Sequence, residues 1–172
     1  TDCSQNLDSY SIEYTFADGT KAMVTGRYIP NCFNDFATFV HGTKCGAKFS
    51  GNVHAPTCWI CKDQQIDQAN ITWKAERETV NPWQAEWDVL LSAIRTDRPH
   101  NEARRAALSN LGAIMGRAAV HTGKVVTWDE AMASDFQFCS NVDSLTADGP
   151  APVQANAEGR YPAPVPGAWT EI

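Results

Sequence analysis

The cysteine and histidine residues between positions 45 and 61 are of types and at spacings that could hold a metal ion. Cys58 and Cys61 form a Cys-x-x-Cys pair, and Cys45 and His54 lie nearby in the chain. Thiolate and imidazole ligands at such spacings are typical of tetrahedral structural zinc sites. Against zinc, Cys45 is expected at a turn between strands, and the sequence contains no second Cys-x-x-Cys pair. Free thiols are therefore the favoured interpretation, and structural zinc at Cys45, His54, Cys58 and Cys61 is the alternative.

A polar flank on a predicted helix carries a second group of candidate side chains. Asn110, Arg117 and His121 follow one another at intervals of 7 and 4 residues, which places them along one side of an α-helix. A solvated stripe would account for them in an isolated domain. The alternative is a docking edge for a second domain, because Gly112 and Gly116 lie beside this flank and would let another backbone approach closely.

The glycine spacing excludes a dinucleotide-binding turn in this sequence. Such a turn needs two glycines separated by one residue, so that the backbone can approach a pyrophosphate at the start of a helix. No two glycines in the chain have that spacing. The sequence therefore supplies no residue that we expect to bind a dinucleotide.

Charge and hydropathy exclude two further classes of partner. The chain carries 14 Lys and Arg against 20 Asp and Glu, a net charge of −6, and its one adjacent basic pair is Arg104 with Arg105. Nucleic acid is bound by clustered basic side chains, so we expect no nucleic-acid partner. No apolar run approaches the ~20 residues of a membrane span, so we expect no membrane partner either. A chain of 172 residues fits one domain around a single core.

The first half of the chain is predicted to consist of antiparallel strands. Apolar and polar residues alternate over 10–16, and Asp18 with Gly19 follows as a residue pair that favours a tight hairpin. The second strand of that hairpin is predicted at 23–28. Further strands are predicted at 36–41 and 47–50, near Trp59, and at 71–74. The region from 1 to about 80 should therefore be rich in strands.

The second half, from 81 to about 135, is predicted to be helical. Asn81 is a helix-capping residue, and Pro82 follows at the first helical position, so a helix should begin there and end before Pro99. Its apolar residues form one stripe, which we expect to pack on the sheet. The stripe consists of Trp83, Trp87, Leu90, Leu91 and Ile94.

Two more helices and a tail complete the prediction. A helix over 101–121 should end at Gly123, and it carries bulky apolar residues on one face and small ones on the other. Thr127 and Glu130 form a capping box that should open a short third helix. Five of the nine prolines lie between 150 and 166, so 140–172 should be an extended tail over the surface or a partner.

Several runs of residues together resemble a known family. In the helical half they are Asn81-Pro82-Trp83 with Glu86, Leu90 with Ala93-Ile94-Arg95, Asn101-Glu102-Ala103, the run 113–118, and Gly123-Lys124 with Val126-Thr127-Trp128; upstream they are Tyr14, Phe16, Asp18-Gly19 and His41-Gly42-Thr43-Lys44. On these residues the chain, from about 8 to 167, resembles the C-terminal domain of the Gfo/Idh/MocA oxidoreductases. The likeness is to the glucose-fructose oxidoreductase and inositol dehydrogenase architecture.

The resemblance implies a two-domain parent enzyme. An N-terminal Rossmann domain, absent from this chain, would bind NAD or NADP, and hydride would pass between the nicotinamide and a sugar or polyol. Residues 1–172 would form a single C-terminal domain that completes the substrate pocket and forms a homo-oligomer through an open, mainly antiparallel sheet with helices on one face, an α+β fold. The family's Glu-Lys-Pro motif is not found in this sequence. We therefore expect no catalytic or cofactor-binding residue in this chain and no activity from it in isolation.

On position alone, the resemblance leaves six residues as candidates for lining the substrate cleft or the face toward the missing domain. They are His41, Lys44, Asn101, Asn110, Arg117 and His121. The hypothesis from a different class is a stand-alone binding or interaction module that is stabilised by the structural zinc site described above.

Overall fold

The computed structural model describes residues 5–49, 57–76 and 79–172. Within them it contains two antiparallel sheets and three α-helices, which confirms the α+β class. In chain order the elements are β1 (Ser9–Thr15), β2 (Lys21–Arg27), β3 (Thr38–His41), β4 (Gly46–Phe49), β5 (Cys58–Cys61), β6 (Ile71–Lys74), α1 (Pro82–Arg95), α2 (Ala103–Thr122) and α3 (Trp128–Ala133). No helix of the described residues has the length and apolar character needed to cross a bilayer.

The chain divides into two compact units. One comprises Thr1–Pro30 with Glu102–Ile172, and the other comprises Asn31–Asn101. The first therefore contains the β1–β2 hairpin with α2, α3 and the tail, and the second contains the β3–β6 sheet with α1. The assignment of 1–172 to one domain stays a prediction.

The β1–β2 hairpin forms at the turn signal in the sequence. Its strands are antiparallel, and Ile12 lies opposite Val24. The Asp18 carboxylate accepts a 2.9 Å hydrogen bond from the backbone N–H of Thr20, and Gly19 adopts a φ of 84° that favours glycine. The predicted hairpin is confirmed, with each strand starting one or two residues earlier than the alternation indicated.

Helix α2 packs its small-residue face against the hairpin of the same unit. Gly116 is buried, and the side chains of Tyr14 and Ile12 occupy the space that a Cβ at Gly116 would need. The helix ends as predicted at Gly123, which has a left-handed φ of 69° and donates its N–H to the carbonyl oxygen of Ala119. The chain's own hairpin therefore fills the space at Gly116, whereas a Cβ at Gly112 would meet nothing within 4 Å. The alternative of a docking edge for a second domain along this flank stays a prediction.

The segment after α2 contains one short α-helix and a largely irregular tail. The capping box at α3 is confirmed, since Thr127 and Glu130 hydrogen bond reciprocally at its first turn. After α3 the described chain has no helix or strand besides a 3-10 turn at Val142–Ser144. The tail returns to α2, where the N–H of Gly167 donates to the carbonyl oxygen of Thr122 at 2.7 Å. The irregular tail is therefore held against the helix at a defined contact.

The second unit is built on a four-stranded antiparallel sheet in the order β3-β4-β5-β6. Phe39 lies opposite Lys48, Lys48 opposite Trp59, and Trp59 opposite Lys74. These side chains share one face, and the Nζ atoms of Lys48 and Lys74 lie 5.9 and 5.7 Å from the Trp59 ring centroid. Cations over aromatic faces attract the ring electrons, so the row stabilises the pairing of β4, β5 and β6.

Helix α1 begins as predicted but does not bury its apolar stripe. The Asn81 side chain caps the helix by accepting a 2.9 Å hydrogen bond from the N–H of Trp83. None of the residues of α1 is buried, and Trp87 and Ile94 are 59% and 66% exposed. The prediction that this stripe packs on the sheet is therefore wrong. Periodicity reports that a helix is amphipathic, but it does not say which surface covers the apolar side.

Candidate functional site

Two of the six candidate residues, Arg117 and His121, contact one buried carboxylate, that of Glu171. Arg117 and His121 lie on one flank of α2, one helical turn apart, and both bond to Glu171 in the tail. Arg117 donates through Nε and Nη2 to Oε1 of Glu171, at 2.6 and 2.5 Å. Nδ1 of His121 lies 2.9 Å from Oε2, and Nε1 of Trp169 donates to the same oxygen at 3.2 Å. Both oxygens of Glu171 are therefore bonded.

Because Glu171 is buried, loss of its partners would strongly destabilise the buried position of its carboxylate. The Glu171 side chain has no exposed surface, and the His121 side chain is 12% exposed. A buried carboxylate without partners is strongly destabilising, whereas one with a charged partner and full hydrogen bonding is tolerated. The guanidinium carbon of Arg117 also lies 5.2 Å from the ring centroid of Phe138, which adds a cation–π contact.

The ionisation of Glu171 follows from two opposing effects. Burial of the carboxyl by itself raises the pKa of Glu171, but the hydrogen bonds from His121 and Arg117 and the charge of Arg117 outweigh burial. The pKa is therefore held below its ordinary value of 4.5, and the group is a carboxylate at neutral pH. The Nδ1–H of His121 can donate in the neutral ring and in the protonated ring alike.

The contacts of Arg117 and His121 with Glu171 attach the tail to α2. The donors of Arg117 and His121 that would suit an anionic ligand are directed at a carboxylate of the same chain. Sequence reasoning identified the two donors because they share a helix flank, but it missed Glu171 and Trp169. No local signal pointed to them, because both lie in an irregular tail. Glu171 follows Arg117 by 54 residues.

The other candidates lie at separate places. His41, at the end of β3, has its Nδ1 2.9 Å from Oε1 of Gln64, whose amide donates to the carbonyl oxygen of Gly42. Lys44 is exposed in the turn before β4, and Asn110 is exposed on α2. Asn101 is the final residue of the second unit. The assignment of these four residues to a substrate cleft stays a prediction.

Among the described residues, Cys45, Cys58 and Cys61 belong to no metal-binding group. Cys58 and Cys61 stand at the two ends of β5, three positions apart, so they point to opposite faces of the sheet. Cys61 is buried, with its Sγ directed to the carbonyl oxygen of Asp67 at 4.0 Å. Within 5–49, 57–76 and 79–172 no three His, Cys, Asp or Glu residues form a group that could hold a metal ion. His54 lies outside the described residues, and the five described cysteines carry free thiols.

Comparison of the chain with protein-family models, with curated proteins and with solved structures found no match.

Proposed function

We propose that this chain is the C-terminal domain of an NAD- or NADP-dependent oxidoreductase that acts on a sugar or polyol. In this proposal the domain completes the substrate pocket and forms the homo-oligomer interface, and an N-terminal Rossmann domain binds the cofactor. The resemblance of the helical half to the Gfo/Idh/MocA family supports the enzyme class. The α+β class of the fold is compatible with it.

An apolar row across the four-stranded sheet is the observation that supports the proposed homo-oligomer interface. Val40 lies opposite Ala47, Ala47 opposite Ile60, and Ile60 opposite Trp73, so the row crosses all four strands on one face. Val40 is 44% exposed, Ile60 38% and Trp73 53%, while Ala47 between Val40 and Ile60 is buried. Large apolar side chains exposed together on one face mark surfaces that bind another protein. The row therefore supports a partner for this face, and the proposal assigns a second copy of the protein.

The residues of this chain do not fit a dinucleotide. The glycine spacing that a pyrophosphate requires does not occur in the sequence. Arg117 and His121, whose donors would suit a phosphate, hold Glu171 instead. A nicotinamide would supply hydride transfer, and the proposal places that chemistry in the N-terminal domain.

Cofactor binding tests the division between the two domains. The 172-residue chain and a longer protein that includes the upstream coding sequence are titrated with NADH in a calorimeter. We expect micromolar binding by the longer protein and none by the chain alone, and we expect the longer protein to reduce NAD or NADP with a sugar or polyol. Micromolar binding by the isolated chain would overturn the proposal.

Sedimentation tests the sheet interface separately. Trp73→Glu puts a charge into the apolar row, so it should shift the longer protein toward the monomer. Trp83→Glu is the matched control, because Trp83 on α1 has nearly the same exposure, 55% against 53% for Trp73. It should leave the association state unchanged. Equal effects of the two substitutions would show that the sheet face is not the interface.

A further inference from the structure

The tail segment 162–171 is attached to the C-terminal end of α2 around Glu171. Backbone contacts lie at its middle, where Gly167 donates to the carbonyl oxygen of Thr122 and Pro166 packs against Gly123. Pro164 is buried and Trp169 is half-buried. At the start of the segment, Nε2 of Gln5 donates to the carbonyl oxygen of Pro162 at 3.2 Å. The charged side-chain contacts lie at Glu171, whose carboxylate is the counter-charge for Arg117.

The attachment depends on the charge of that carboxylate. All the donors around it, from Arg117, His121 and Trp169, require an acceptor. A protonated carboxyl would turn one acceptor oxygen into a donor and leave Arg117 without its counter-charge. Hydrogen bonds to charged groups contribute more to stability than neutral ones do. Loss of the charge therefore removes the strongest contact between the segment and the helix.

We propose that Glu171 is an acid-sensitive switch that holds 162–171 on α2 when it is ionised and releases this segment when it is protonated, while α2 and the hairpin stay folded.

The ionisable groups that contact Glu171 are Arg117 and His121, both on α2. Of the elements packed on α2, α3 carries Asp129 and the capping residue Glu130. The β1 strand presents the phenol of Tyr14, which is hydrogen bonded to Gly112. The proposal does not depend on the function proposed above.

The direction of the pH response follows from the ionisation of Glu171. Its folded-state pKa lies below the ordinary 4.5, so the attachment is complete above that value and is lost as the pH falls through the folded-state pKa. At neutral pH the segment is held, and acidification opens it.

Hydrogen exchange on the full chain tests the switch. Wild type, Glu171→Gln and Glu158→Gln are compared by mass spectrometry from neutral pH into acid, on peptides that span 162–169 and 103–115. Glu158→Gln is the matched control, because it removes the same charge from an exposed residue of the same tail. At neutral pH, exchange over 162–169 should be about tenfold faster in Glu171→Gln than in wild type. It should be unchanged in Glu158→Gln, and 103–115 should be unchanged in both.

Acidification supplies the second part of the test. The ratio of the two exchange rates, Glu171→Gln over wild type, should fall to about one as wild type loses the same charge. Comparing the proteins at one pH cancels the intrinsic pH dependence of exchange. Equal exchange at neutral pH, or a ratio that does not change in acid, would overturn the proposal. Faster exchange over 103–115 in Glu171→Gln would also overturn it, because Glu171 would then support the whole unit.

Discussion

The phenol oxygen of Tyr14 donates a 2.9 Å hydrogen bond to the carbonyl oxygen of Gly112, and its ring lies over Gly116 one turn further along α2. The strand β1 and the helix α2 are far apart in the sequence, and they pack closely enough for the Tyr14 side chain to contact the backbone of the helix. The absence of a side chain at Gly116 is what permits this approach.

Alanine at Gly116 should loosen the hairpin. A Cβ there would overlap the Tyr14 hydroxyl and press on Ile12, so we expect a loss of about 1–3 kcal/mol in the free energy of unfolding, measured by urea denaturation. Gly112→Ala is the matched control, because a Cβ at Gly112 meets nothing within 4 Å. It should stabilise the helix by about 0.5–1 kcal/mol. The same loss at both positions would contradict the packing described for Tyr14.

Loss of the Thr127 hydroxyl should unravel α3. Thr127 accepts a hydrogen bond from the N–H of Glu130 and donates to its carboxylate. Thr127→Ala should therefore cost about 1 kcal/mol, and it should accelerate hydrogen exchange within α3. Thr127→Ser keeps the hydroxyl and should behave like wild type. If the serine variant exchanged as fast as the alanine variant, the hydroxyl would not be the stabilising group.

The same capping box predicts a pH effect at Glu130. Hydrogen bonds from the Thr127 side chain and backbone hold the pKa of Glu130 below its ordinary 4.5. Because this pKa is lowered by folding, the stabilisation of α3 is present above 4.5 and is lost as the pH falls through the folded value. An NMR titration of the Glu130 carboxyl carbon should show a low pKa that rises in Thr127→Ala. An unchanged pKa in that variant would contradict the reciprocal capping.

Removal of metal should leave the second unit unchanged. Cys45, Cys58 and Cys61 belong to no metal-binding group among the described residues, so dialysis against a chelator should not lower the melting temperature. Elemental analysis should find less than one zinc per chain. Stoichiometric zinc that resists dialysis, together with a lower melting temperature after chelation, would instead favour the stand-alone zinc module.

Features with local causes were predictable from the sequence. Asn81 with Pro82 fixed the start of α1, Gly123 the end of α2, and Thr127 the start of α3, because each cap acts on backbone groups within its own turn. The tight approach at Gly116 was also foreseen from the small residues on that face of α2. Its occupant was not, because the pattern of one helix does not identify which strand or helix packs on it.

Features that join distant segments were not predictable. Arg117 and His121 were identified as a polar pair, but their partner Glu171 lies in a tail without periodicity. The exposed apolar stripe of α1 is a second example. The sequence predicted an amphipathic helix correctly, but the prediction that the sheet covers its apolar side was wrong.

The division of the chain also dictates an order of assembly on the ribosome. Tyr14 precedes its partner Gly112 by 98 residues, and at about 5–20 residues per second the hairpin waits on the order of 5–20 s for the helix to be synthesised. The unit Asn31–Asn101 is contiguous and is synthesised in full during that wait. The unit that starts first therefore finishes last, with its tyrosine exposed to chaperones and proteases in the interval.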